Sequence, residues 1–103
     1  MQDKIMRKFF LGFIQIHILH HAGQEPIYGV WMLEELKRHG YELSPGTLYP
    51  ILHSMASSKL LEMDEKLVDG KIRKYYRTTC FGSDVLLEAK KRAAELFRET
   101  SGT

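Results

Sequence analysis

The 103-residue chain, 44% hydrophobic and 27% charged, has the composition of one small globule and is neither disordered nor collagen-like. Fifteen Lys and Arg against thirteen Asp and Glu leave a net charge of +2, so bulk charge selects no polyanionic partner and local distribution must decide. One cysteine, Cys80, excludes an intrachain disulfide framework and fits a reducing cytoplasm.

Residues 4 to 22 are expected to form a first helix, with Asp3 as its cap and Gly23 as its stop. Its apolar run from Phe9 to Leu19 is about half a bilayer span and is interrupted by Gln15 and His17, which indicates a buried helix of a cytoplasmic protein and no membrane partner. Apolar residues including Phe9 and Phe13 cover too much of the circumference for one-sided burial, so this helix is expected to pack on its own core and on a partner chain. His17 and His21 are four apart, a spacing that places two imidazoles near one metal. His20 is adjacent, but no nearby carboxylate or cysteine completes a set in sequence, so no metal is assigned.

A second helix is expected from Ile27 to His39, closed by Gly40. Tyr28, Trp31, Met32 and Leu36 form its inward stripe, with Glu34, Glu35, Lys37 and Arg38 outside. Trp31 and Met32 are weak candidates for lining an effector cavity, with the core as their default place. Tyr41-Glu42-Leu43 then leads to Ser44, a good N-cap, and Pro45, suited to the first helical position. The third helix runs to about Ser58, and Pro50 inside it removes one backbone bond, favouring a distortion or an opening 3₁₀ turn. Leu48, Ile51, Leu52 and Met55 form its packing face, while Thr47, Tyr49 and His53 project elsewhere. Two helices joined by a brief connector outline a helix-turn-helix, in which the polar face of the second helix reads DNA.

Asp69-Gly70 between two strand-like runs predicts a hairpin, a two-stranded wing. Its acidic residues lie on the first strand and turn, whereas Lys71, Arg73, Lys74 and Arg77 crowd the return. Lys71, Arg73 and Lys74 are candidate phosphate contacts, although strand alternation sends Arg73 and Lys74 to opposite faces. A fourth helix follows Thr79 as cap and runs to about Glu99. Gly82, Leu86, Ala89, Ala93 and Leu96 mark a coiled-coil-like seam flanked by Val85 and Phe97, which calls for a second subunit. The fold expected is mainly α with a small β-hairpin: a winged helix-turn-helix over residues 1–79 and a C-terminal dimerisation helix with a frayed tail over 80–103.

Ser44-Pro45-Gly46-Thr47-Leu48-Tyr49-Pro50-Ile51-Leu52 resembles the recognition-helix signature of the PadR family of transcriptional regulators. Tyr28-Gly29 is similar to the start of that family's second helix, Lys59-Leu60-Leu61 to its Gly-Leu entry into the wing, and Arg73 to Thr79 with Gly82 to its exit. The resemblance implies a homodimer that binds a partly palindromic operator on double-stranded DNA, usually as a repressor relieved by a small-molecule effector. It places the chain among members with a single C-terminal dimerisation helix, and puts His53 where many relatives carry a basic residue. DNA contacts are then expected from Ser44, Thr47, Tyr49, His53 and the wing cations, and dimer contacts from Phe9, Phe13, Val85, Leu86, Ala89, Ala93, Leu96 and Phe97. No phosphate-binding glycine loop or nucleophile–base motif argues for an enzyme, and no cofactor is expected. The rival readings are a winged-helix protein-interaction module without an operator, and a DNA-binding metal or redox sensor using the histidines or Cys80.

Overall fold

In the computed structural model, which describes residues 3–102, the elements follow in the order α1 (Asp3–Gln24), β1 (Ile27–Tyr28), α2 (Gly29–Arg38), α3 (Pro45–Ser57), β2 (Leu61–Val68), β3 (Lys71–Thr78) and α4 (Cys80–Thr100). The core is built where the apolar stripes meet: Ile14, Ile18 and Leu19 from α1, Met32 and Leu36 from α2, Leu48, Leu52 and Met55 from α3, and Leu61 and Tyr76 from the sheet are all buried. Among the described residues no helix is long and apolar enough to cross a membrane.

Local chemistry accounts for most boundaries. Ser44 caps α3, its Oγ accepting from the Thr47 N–H at 3.2 Å. The Ser44 carbonyl accepts from both Thr47 N and Leu48 N, at 3.0 and 3.1 Å, so the helix opens through a shared 3₁₀-type turn and continues past Pro50. Thr79 caps α4 in the same way, accepting from Gly82 N at 2.9 Å. Gly40, at φ +90°, closes α2. Asp69 and Gly70, at φ +52° and +79°, form the two-residue turn between Val68 and Lys71, the positive-φ pair that matches strand twist.

The bounds of two elements and the burial of one residue differ from expectation. The first helix begins at Asp3 itself, whose side chain lies outside the described residues, and it runs through Gly23 to Gln24. Ile27 and Tyr28 are not the start of α2 but a short strand pairing antiparallel with Tyr76 and Tyr75, so the wing is part of a three-stranded sheet in the order β1-β3-β2. Pro26 fits this, since it disfavours helical geometry before it and leaves the next two residues free to extend. Glu35, expected on the outside of α2, is buried at 7% exposure, because α1 packs across that face and brings His21 to it.

Candidate nucleic-acid interface

Two elements build the polar face. From α3, Ser44, Thr47, Tyr49 and His53 are all exposed, opposite the buried Leu48, Leu52 and Met55. Ser44 spends its hydroxyl on Thr47, bonding both its N–H and its Oγ1 at 3.2 Å, so the cap fixes the Thr47 side chain at the helix entrance. The Tyr49 ring lies across Gly29, where an added Cβ would strike it, and stays 44% exposed. Tyr49 therefore both packs and presents itself. No residue of α3 carries a formal charge.

The wing supplies that charge, divided by the pleat. Lys74 stands on the same face as Ile72 and the buried Tyr76, and these line an open notch of about 580 Å³ with Tyr49, Pro50 and His53. Lys74 is thus the wing cation facing the same space as α3. Arg73 points to the other face, its guanidinium 4.1 Å from the centroid of the Tyr28 ring, a cation–π contact that holds it against β1. Lys71 shares that other face, exposed beside the turn. Arg77 is tied to Glu62 at 2.9 Å and Asp64 at 3.6 Å, which neutralises it.

The expected dimer residues separate into two groups. Val85 and Leu86 pack on the chain's own core, and Gly82 is buried where a Cβ would meet the Leu60 carbonyl. Ala89 is half-buried between the groups. Farther along α4, Ala93, Leu96 and Phe97 join Phe9, Phe13 and Ile16 of α1 around an apolar groove of about 650 Å³. Phe97 is 72% exposed and Phe9 57%. Of the two effector candidates, Met32 is sealed in the core, whereas Trp31 lies edge-on to His21 with ring centroids 5.5 Å apart. Cys80 is a free, exposed thiol in the first turn of α4.

Beside Trp31 lies a polar cluster that sequence spacing half revealed. His17 and His21 of α1 meet His39, the C-cap residue of α2, with one ring nitrogen from each within 4.8 Å of the others. Glu35 Oε2 accepts from His39 Nε2 at 3.0 Å and lies 3.3 Å from His21 Nε2, while Arg38 approaches Oε1 at 3.3 Å. Burial, then the neighbouring imidazoles His39, His21 and His20, lower the pKa of His17. Burial also lowers that of His21 against the opposing pull of Glu35. For Glu35 burial works upward, but the His39 hydrogen bond and the Arg38 and imidazole charges prevail and hold its carboxyl below the ordinary value. The signal for this cluster was present in sequence as Glu35 and His39 at i and i+4, on a face read as solvent-exposed.

A capped, exposed helix after a short connector, with a basic hairpin beside it, defines a winged helix-turn-helix DNA-binding protein. Residues 18–88 match the model of the Transcriptional regulator PadR-like family, and the chain belongs to that family. It is 44% identical over 97 residues to Transcriptional regulator Rv3488 of Mycobacterium tuberculosis, covering 94% of this chain and 91% of the relative. Among solved structures it is similar to a PadR-like transcription factor from Bacteroides fragilis, with TM-score 0.84 and 27% identity over 96% of this chain and 97% of that one. A PadR family transcriptional regulator from Eggerthella lenta gives TM-score 0.78 at 30% identity, covering 96% and 91%. The protein is a transcriptional regulator and not an enzyme.

Proposed function

We propose that the protein acts in the cytoplasm as a homodimeric repressor of a partly palindromic operator, released by an effector. The observation that carries the DNA contacts is the notch at which Tyr49 and His53 of α3 and Lys74 of β3 face one space. In this reading Thr47, Tyr49 and His53 meet base edges or phosphates in the major groove, and Lys74, the wing cation on the α3 side, holds flanking backbone. Because α3 is uncharged, base-edge contacts there supply specificity and the wing supplies salt-dependent affinity. Phe9, Phe13, Leu96 and Phe97 leave an apolar face whose natural cover is a second copy, giving the two heads a two-fold site requires.

Anisotropy titration against DNA upstream of the protein's own gene tests the reading. Saturable binding that competitor DNA does not abolish, weakened at least tenfold by a Thr47→Ala/Lys74→Ala double substitution, is expected. Absence of binding to that DNA and to any sequence selected from a random pool would leave a protein-interaction module as the better description.

A further inference from the structure

We propose that His17 and His21 of α1, together with Glu35 and His39 of α2, form a binding site for a borderline divalent transition-metal ion, with Zn²⁺ as the type case. Three imidazoles and one carboxylate are a donor set that such ions favour, whereas Ca²⁺ and Mg²⁺ prefer all-oxygen ligands.

The geometry is close to what the ion needs. Bonds of about 2.0–2.1 Å put tetrahedral ligand nitrogens about 3.4 Å apart, and the three ring nitrogens already lie within 4.8 Å of one another. His39 has the freedom to close the remainder, since it sits at the end of α2 with 43% of its side chain exposed. The anchor is Glu35, whose side chain is 8% exposed and on whose Oε2 the imidazoles of two different helices converge. Where Nε2 carries the ring proton, each of those contacts turns an Nε2–H toward the carboxylate. Moving each proton to Nδ1 turns the Nε2 lone pair inward without changing the charge of either ring. One dication then stands among three neutral imidazoles and a carboxylate, with Arg38 free to swing to solvent from its 74% exposed position. His20, next in sequence and exposed, is not part of the set.

The site is independent of the DNA-binding reading and is tested with metal alone. Tag-free full-length protein carrying Cys80→Ser, which removes the exposed thiol as a competing ligand, is stripped with EDTA and titrated with Zn²⁺ at neutral pH by calorimetry. Trp31, the only tryptophan, gives a second readout, because Ni²⁺ bound next to His21 should quench its fluorescence. One ion per chain by both methods is expected. His17→Gln and His39→Gln should each weaken binding at least tenfold, and His20→Gln should leave it unchanged. Far-UV circular dichroism establishes that each variant is folded, and His39→Gln, at a half-exposed helix end, is the variant least able to disturb the core. No binding at about 100 µM Zn²⁺, or undiminished affinity in folded His39→Gln, overturns the proposal.

Discussion

Lys59 shows how one side chain can be held in an unfavourable backbone. It follows the Ser58 cap at φ +67°, with its N–H on the Ala56 carbonyl at 3.1 Å and the Leu60 N–H on the Met55 carbonyl at 2.9 Å, the two bonds of a Schellman helix end. A side chain in that region costs about 1–2 kcal/mol, partly offset by the about 0.5–1 kcal/mol of extra chain entropy a glycine loses on folding. Lys59→Gly should therefore stabilise the protein by about 0.5–1 kcal/mol, read as a rise of about 3–6 °C in the thermal midpoint. The histidine cluster gives a prediction of opposite character. In metal-free protein His17 and His21 are held below their ordinary value of 6.5, so the unfolded chain protonates first and stability is lost as pH falls through that value. Glu35, held below 4.5, adds a further loss at lower pH. Thermal midpoints should drop between pH 7.5 and 5.5, and folded His21→Gln, which has no imidazole to protonate there, should show a shallower drop. The residues of this cluster were only partly legible in sequence. His17 and His21 share a helix and announce their spacing, but Glu35 reads as one more exposed charge until α1 is laid over it.

At the scale of elements, legibility followed the range of the interactions. The helix caps Ser44 and Thr79, the Asp69-Gly70 turn and the three long helices are local features, and sequence identified them to within a few residues. β1 was missed because it is defined by pairing with Tyr75 and Tyr76, nearly fifty positions on, and by nothing in its own two residues. The α4 stripe was seen as one seam, yet its first half packs on the chain's own core and only its second half is open, a division set by where β3 delivers the helix. The sheet's pleat makes a sharper distinction among the wing cations than their clustering suggests. Lys74 shares the notch with α3, while Arg73 is committed to Tyr28. Lys74→Ala should lower the slope of log affinity against log salt by about 0.9 per protomer, about 1.8 for a dimer, whereas Arg73→Ala should change the slope less and cost stability by loosening β1. Titrations on operator DNA across a salt series, with parallel thermal melts, separate the two outcomes.

For the whole molecule, the α1–α4 groove predicts assembly. Light scattering at micromolar concentration should give twice the 12.0 kDa chain mass, and Phe97→Glu, which places a charge on a 72% exposed aromatic, should return the single-chain mass with the fold intact. Loss of operator affinity in that variant would show that one head alone holds DNA weakly. β1 then bears on how the two heads of the proposed dimer can be adjusted. The strand is continuous with α2 on one side and laddered to β3 on the other, so wing and helix-turn-helix have no joint between them. In the proposed dimer each head would then be a stiff lever, with its fulcrum at the α1–α4 groove. A regulatory signal would not need to deform the reading surface at all: a slight rotation at that fulcrum would put two intact heads out of phase with the turn of the double helix, and the grip would be lost.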